Sequence, residues 1–155
     1  MQSLESMYPI DWETVKEAGI KFAMIRLGYR GYTQGGLALD DGYVTNIETA
    51  LEAEMPVGVY FYTQAVSYDE GVEEAQYVLQ NIAGYKISYP VVIDTEKMEA
   101  EGARANDISN EERTDAIVGF CETIKDAGYT PMIYANRNWY AQNLDMDRLG
   151  DYQLW

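Results

Sequence analysis

Tyr89-Pro-Val-Val-Ile-Asp-Thr-Glu96 is an apolar run that leads directly into two carboxylates separated by one residue. A run of this length, opened by a proline and rich in β-branched residues, suits a strand covered on both faces, as in a parallel sheet. Side chains at i and i+2 of a strand share a face. Asp94 and Glu96 are therefore expected side by side at the C-terminal end of that strand, which in β/α barrels is where active sites are built.

The same kind of run recurs at Phe22-Ala-Met-Ile-Arg-Leu-Gly28, Val57-Gly-Val-Tyr-Phe-Tyr62, Pro131-Met-Ile-Tyr-Ala135 and Tyr152-Gln-Leu-Trp155. Amphipathic helical stretches lie between them. Asp11 can cap a helix that stops at Gly19. Residues 43 to 54 place Val44, Ile47, Leu51 and Met55 at helical spacing, and residues 69 to 81 do the same with Val72, Ala75, Val78, Leu79 and Ile82. Ser109, with Glu112 three residues on, has the form of a capping box opening a helix that ends before Gly128. Strand starts near 22, 57, 90, 131 and 152 are close to β/α-barrel spacing. An eight-stranded barrel typically needs ~250 residues, and the chain has 155. The expectation is an α/β fold, an irregular TIM-like β/α barrel that is incomplete in this chain, with residues 1–155 forming a single domain. An open doubly wound sheet is the alternative, but no glycine-rich phosphate loop follows a strand.

Composition narrows the chemistry. Hydrophobic residues make up 47% of the chain, enough for a packed core. The formal net charge is −15, from 26 acidic and 11 basic residues. Clustered Lys and Arg are needed to bind phosphate backbones or anionic lipid, so neither nucleic acid nor a membrane surface is expected as partner. No run approaches the ~20 apolar residues that span a bilayer, and no basic start followed by an apolar stretch marks a signal peptide. Cys121, the one cysteine, falls within an apolar helical pattern and reads as a buried thiol. There is no histidine, which removes Ser-His and Cys-His nucleophiles and the usual zinc sites. Hydrolytic chemistry must then run on carboxylates, tyrosine or a hard metal held by oxygen. No further acid cluster has recognisable ligand spacing, so neither a metal nor a cofactor is expected.

Two adjacent carboxylates push their pKa values apart, so that one can remain an acid while the other is charged. Cleavage of a glycosidic bond needs that division of labour. Aromatic residues supply the second signal, because aromatic faces stack on sugar rings and hydroxyls bond their edges. Tyr60 and Tyr62 share a strand face by alternation, while Tyr134 and Trp155 lie in or near strand C-terminal segments.

In order along nearly the whole chain, several segments together resemble glycoside hydrolase family 25, the Chalaropsis-type lysozymes. They are Ile10-Asp-Trp-Glu-Thr-Val-Lys-Glu-Ala-Gly-Ile-Lys-Phe-Ala-Met-Ile-Arg26, Val57–Tyr62, Pro90–Glu96, Phe120–Tyr134 and Tyr152–Trp155. The resemblance implies an irregular barrel with fewer helices than strands. It implies hydrolysis of the β-1,4 bond from N-acetylmuramic acid to N-acetylglucosamine in peptidoglycan, with the glycan strand as partner, a monomeric state and an extracellular or cell-wall location. Carried onto this chain, it makes Glu96 the general acid and later base and gives Asp94 the support of the substrate's N-acetyl group. Tyr134 and Tyr62 match positions that line the sugar groove, and Tyr60 and Trp155 are further candidate contacts. The departures are specific. The family's first strand, with its own Asp, has no counterpart before Ile10, where Gln2 is the nearest match, and the strands expected beyond Trp155 are absent. Phe61 stands where family members often carry His. A non-catalytic carbohydrate-binding barrel and a chitinase-like glycosidase with the same Asp-X-Glu pattern are the alternatives.

Overall fold

The computed structural model describes residues 10–155, and Gln2 lies outside them. Six strands form one open sheet in the order β2-β1-β3-β4-β5-β6. These are β1 (Ala23–Arg30), β2 (Leu37–Leu39), β3 (Val57–Tyr62), β4 (Val91–Asp94), β5 (Pro131–Tyr134) and β6 (Gln153–Leu154). All neighbours are parallel except β2, which folds back antiparallel on β1. The helices are α1 (Trp12–Glu17), α2 (Tyr43–Glu52), α3 (Tyr68–Ile82), α4 (Asn110–Asp126), α5 (Arg137–Asn143) and α6 (Met146–Leu149). The alternation of parallel strands with helices is the expected β/α pattern, and the sheet is not closed into a barrel among the described residues.

The pleat sorts the strand side chains. Ile25, Leu27, Val59, Phe61, Ile93 and Ile133 point to one face and meet Ile47, Val78, Ile117, Phe120 and Ile124 from the helices. Met24, Tyr60 and Val92 point to the other, packed with Met132 and Tyr134 in a smaller cluster. Both faces are therefore used, but only one is covered by helices.

The cap signals act where expected. The Asp11 side chain accepts from the Thr14 amide, and Ser109 and Glu112 form a reciprocal capping box. Gly19 and Gly128 carry positive φ just past their helices. On α2 the buried face is rotated from the expected one. Val44 is exposed, and Tyr43 is buried instead, its hydroxyl donating to the Asn81 carbonyl at 2.8 Å. Cys121 is buried, which pushes its thiol pKa up to about 12. Among the described residues no helix is long and apolar enough to cross a membrane.

Candidate active site

Asp94 is the last residue of β4, and the register places Tyr62 of β3 and Tyr134 of β5 directly beside it. The parallel ladder runs one step further. The Thr63 amide donates to the Asp94 carbonyl at 3.0 Å and the Thr95 amide to the Tyr134 carbonyl at 2.9 Å. Backbone bonds on both sides thus fix where the Asp94 and Glu96 side chains start. The strand ends at Asp94, and Glu96 is half-buried on the segment that follows.

Asp94 is 4% exposed. Burial raises its pKa strongly, and hydrogen bonding to Glu96 and the charge of Glu96 raise it further, while Arg26 opposes the shift. Asp94 therefore holds a proton at neutral pH, when an ordinary carboxyl is ionised. Among the described residues its Oδ1 is buried without a hydrogen-bond partner. An unsatisfied buried acceptor beside a second carboxyl is a costly arrangement, of the kind concentrated at functional sites.

The tyrosine neighbours differ in their settings. Tyr62 is half-buried, and its pKa is raised by burial and then by the charges of Glu96 and Asp94. Tyr134 is also half-buried. Trp155 meets it edge-on, with ring centroids 5.5 Å apart, and reaches a separate apolar cavity of about 480 Å³ with Trp12, Phe22 and Met24. Tyr60 is 4% exposed within the Met24 and Val92 layer. The structure therefore brings Asp94, Glu96, Tyr62 and Tyr134 together. Trp155 stands behind Tyr134, and Tyr60 lies beneath the group.

A groove of about 660 Å³ reaches Tyr62, the register partner of Asp94, although neither carboxylate lines it. Arg26, Tyr29, residues 30–38, Tyr62 and Met98 line it. Arg26 lies 3.9 Å from Asp40 and over the Tyr29 ring. Its role was legible in principle, because an arginine two residues after Met24 in an apolar strand must share the face of Met24. Thr95, between the two carboxylates, is tied down by a buried hydrogen bond from Trp139 Nε1 at 3.0 Å. Arg113 lies over the Trp139 ring at 4.7 Å. Neither contact has a local sequence signal, since Thr95 and Trp139 are 44 positions apart.

The model of the family "Glycosyl hydrolases family 25" matches residues 6–155. The lysozyme of Streptococcus phage Cp-9 is 29% identical over 104 residues, which is 66% of this chain and 28% of the phage protein. The D-alanyl-L-alanine endopeptidase of Streptococcus phage B30 is 29% identical over 96 residues, 61% of this chain and 20% of that protein. Among solved structures, the modular autolysin LytC from Streptococcus pneumoniae in complex with a synthetic peptidoglycan ligand superposes with a TM-score of 0.76 at 24% identity, covering 92% of this chain and 33% of that one. A family GH25 lysozyme from Aspergillus fumigatus gives 0.70 at 23% identity, covering 90% and 64%. The chain thus spans about a third or less of the curated relatives it matches.

Proposed function

The chain belongs to glycosyl hydrolases family 25, and on that premise we propose that it hydrolyses the β-1,4 bond between N-acetylmuramic acid and N-acetylglucosamine in peptidoglycan, acting at the cell wall. The observation that carries this reading is the pairing of a buried Asp94, whose pKa burial raises, with the more accessible Glu96 at the end of β4. The pair holds one proton between two carboxyls, which is what protonation of a leaving oxygen requires.

In the free protein burial keeps that proton on Asp94. A substrate N-acetyl N–H donating to Asp94 Oδ1 favours the charged form of Asp94, as does Arg26. The proton then passes to Glu96, which faces the bond to be broken. Glu96 gives it to the glycosidic oxygen as the C1–O bond breaks, while the N-acetyl carbonyl oxygen bonds to C1. Water then attacks C1 as the bond from the N-acetyl oxygen to C1 breaks, the water's proton goes to Glu96, and both the acid and the N-acetyl group are restored. This is the substrate-assisted variant of glycoside hydrolysis. Tyr62 and Tyr134, on either side of Asp94, supply ring faces and hydroxyls for the sugars.

The test is product analysis on purified peptidoglycan. New reducing ends should belong to N-acetylmuramic acid. New ends on N-acetylglucosamine, or new free amino groups from cut peptide stems, would assign a different bond.

A further inference from the structure

A second cluster of charges lies behind the groove wall. Arg30, the last residue of β1, is 3% exposed. Its Nε donates to Glu74 Oε2 and its Nη2 to Glu73 Oε1, both at 2.7 Å, and its Nη1 donates to the Gly35 carbonyl at 2.7 Å. Arg104, on the segment between β4 and α4, donates from Nη1 and Nη2 to the two oxygens of Glu70, each at 3.0 Å. Arg104 Nη1 also reaches the Gln64 carbonyl at 2.9 Å, and its amide donates to the Tyr32 carbonyl at 2.9 Å. The Glu70 carboxylate lies between the two guanidiniums, with Arg30 Nη1 at 3.7 Å, and it accepts from the Val66 amide at 2.8 Å.

This cluster joins two segments that are distant in sequence and border the same groove. Residues 31–36 form one wall, and Met98 stands on the segment that carries Arg104. The fit leaves no room at Gly35, whose φ is +78°. A Cβ there would stand 2.8 Å from Arg104 Cζ. Bidentate arginine–carboxylate pairs fix orientation as well as distance, so Glu70 holds both segments at one separation.

Resting on the glycosidase reading above, we propose that Glu70 is a positioning residue that sets the width of this groove through Arg30 and Arg104, and so selects glycans long enough to extend along it. The bond-breaking step, which uses Asp94 and Glu96, does not depend on it. A polymer draws binding from the groove walls, whereas a substrate confined to the cleaved bond does not.

The experiment compares Glu70→Gln and Gly35→Ala with the unmodified protein on two probes. One is purified peptidoglycan, and the other is a peptidoglycan-derived disaccharide carrying a nitrophenyl leaving group. Glu70→Gln weakens the Arg104 fork, and Gly35→Ala, strained at φ +78° and crowding the Arg104 guanidinium, disturbs the same contact without removing any charge. Both should raise KM for the polymer about ten-fold while kcat on the disaccharide stays within about two-fold. Glu70→Asp, which keeps the carboxylate, should recover part of the loss. Both probes are also titrated by calorimetry, so the result stands whether or not they are cleaved. If the unmodified protein cleaves neither probe, the glycosidase reading fails, while a ten-fold loss of affinity for the polymer alone still supports the groove assignment. An equal loss on both probes, or no change on either in a folded variant, overturns the proposal.

Discussion

Asp94 and Glu96 lie two residues apart where β4 ends, and the charge on Glu96 adds to burial in raising the Asp94 pKa. Thr95 between them is held in place by Trp139 and by the Tyr134 carbonyl. The two acids therefore behave as a unit, so the state of one determines what the other can do.

Replacing Glu96 with Gln keeps size and hydrogen-bonding capacity but removes the group that moves the proton. Activity on cell walls should fall by about 10²–10⁴-fold, the range for loss of a general acid. Because Glu96 is half-buried and lies outside the strand ladder, the melting temperature should change little. A Glu96→Gln variant that still clears a wall suspension at the original rate would remove Glu96 from the mechanism.

Replacing Asp94 with Asn tests its buried proton through stability. The folded chain raises the Asp94 pKa above its ordinary value, so the folded state binds this proton more tightly than the unfolded state. The stability that follows is complete below about pH 4, the unfolded carboxyl range, and is lost as pH rises through the folded value. Asn mimics the neutral acid and does not titrate. Urea unfolding from pH 4 to pH 9 should therefore show the unmodified protein losing more stability than Asp94→Asn. Parallel curves would mean that Asp94 is ionised in the fold.

The parts of this molecule that a sequence reader can see are those built from local rules. Apolar runs ending at Tyr62, Asp94 and Ala135 become β3, β4 and β5, the last strand stopping one residue sooner at Tyr134, and Ser109 with Glu112 opens α4 as a capping box should. The hairpin strand Leu37–Leu39 escapes because three residues in a glycine-rich stretch carry no measurable alternation. Helices α5 and α6, of seven and four residues, are too short for a periodicity signal. The Arg30 cluster escapes for another reason. Its pairs join residues 34 to 44 positions apart, and only the tertiary fold shows that a buried helical glutamate at position 74 has a cation to meet.

Removing that cation should be expensive. Glu74 is fully buried, and burial pushes its pKa up to about 7 against the opposing hydrogen bonds from Thr63 and Arg30. Arg30→Met leaves this carboxyl without its charged partner, a change that typically costs about 3–5 kcal/mol. Protonation of Glu74 relieves part of that cost, so the deficit should be smaller at pH 5 than at pH 8. Adding Glu74→Leu should recover much of the loss. Denaturant midpoints of the two variants at both pH values check the prediction, and a pH-independent deficit would contradict it.

Helices α3 and α4 meet through glycines, and the contact predicts a further outcome. A Cβ built on Gly71 of α3 would collide with the Ala116 backbone carbonyl, and one on Gly119 of α4 would lie 2.5 Å from the Tyr68 carbonyl. Backbone neighbours cannot rotate aside as side chains can, so Gly71→Ala must push the helices apart. Ala favours an isolated helix over Gly by about 1 kcal/mol, which sets propensity against packing. Overpacking a dense core costs about 1–3 kcal/mol and sometimes more, and here the obstacle is main chain. Packing should win, and Gly71→Ala should lower the melting temperature, with Gly119→Ala acting in the same direction. An exposed control such as Gly36, where an added Cβ meets nothing within 4 Å, should tolerate Ala far better. Stabilisation by Gly71→Ala would mean that α3 and α4 do not pack this closely in solution.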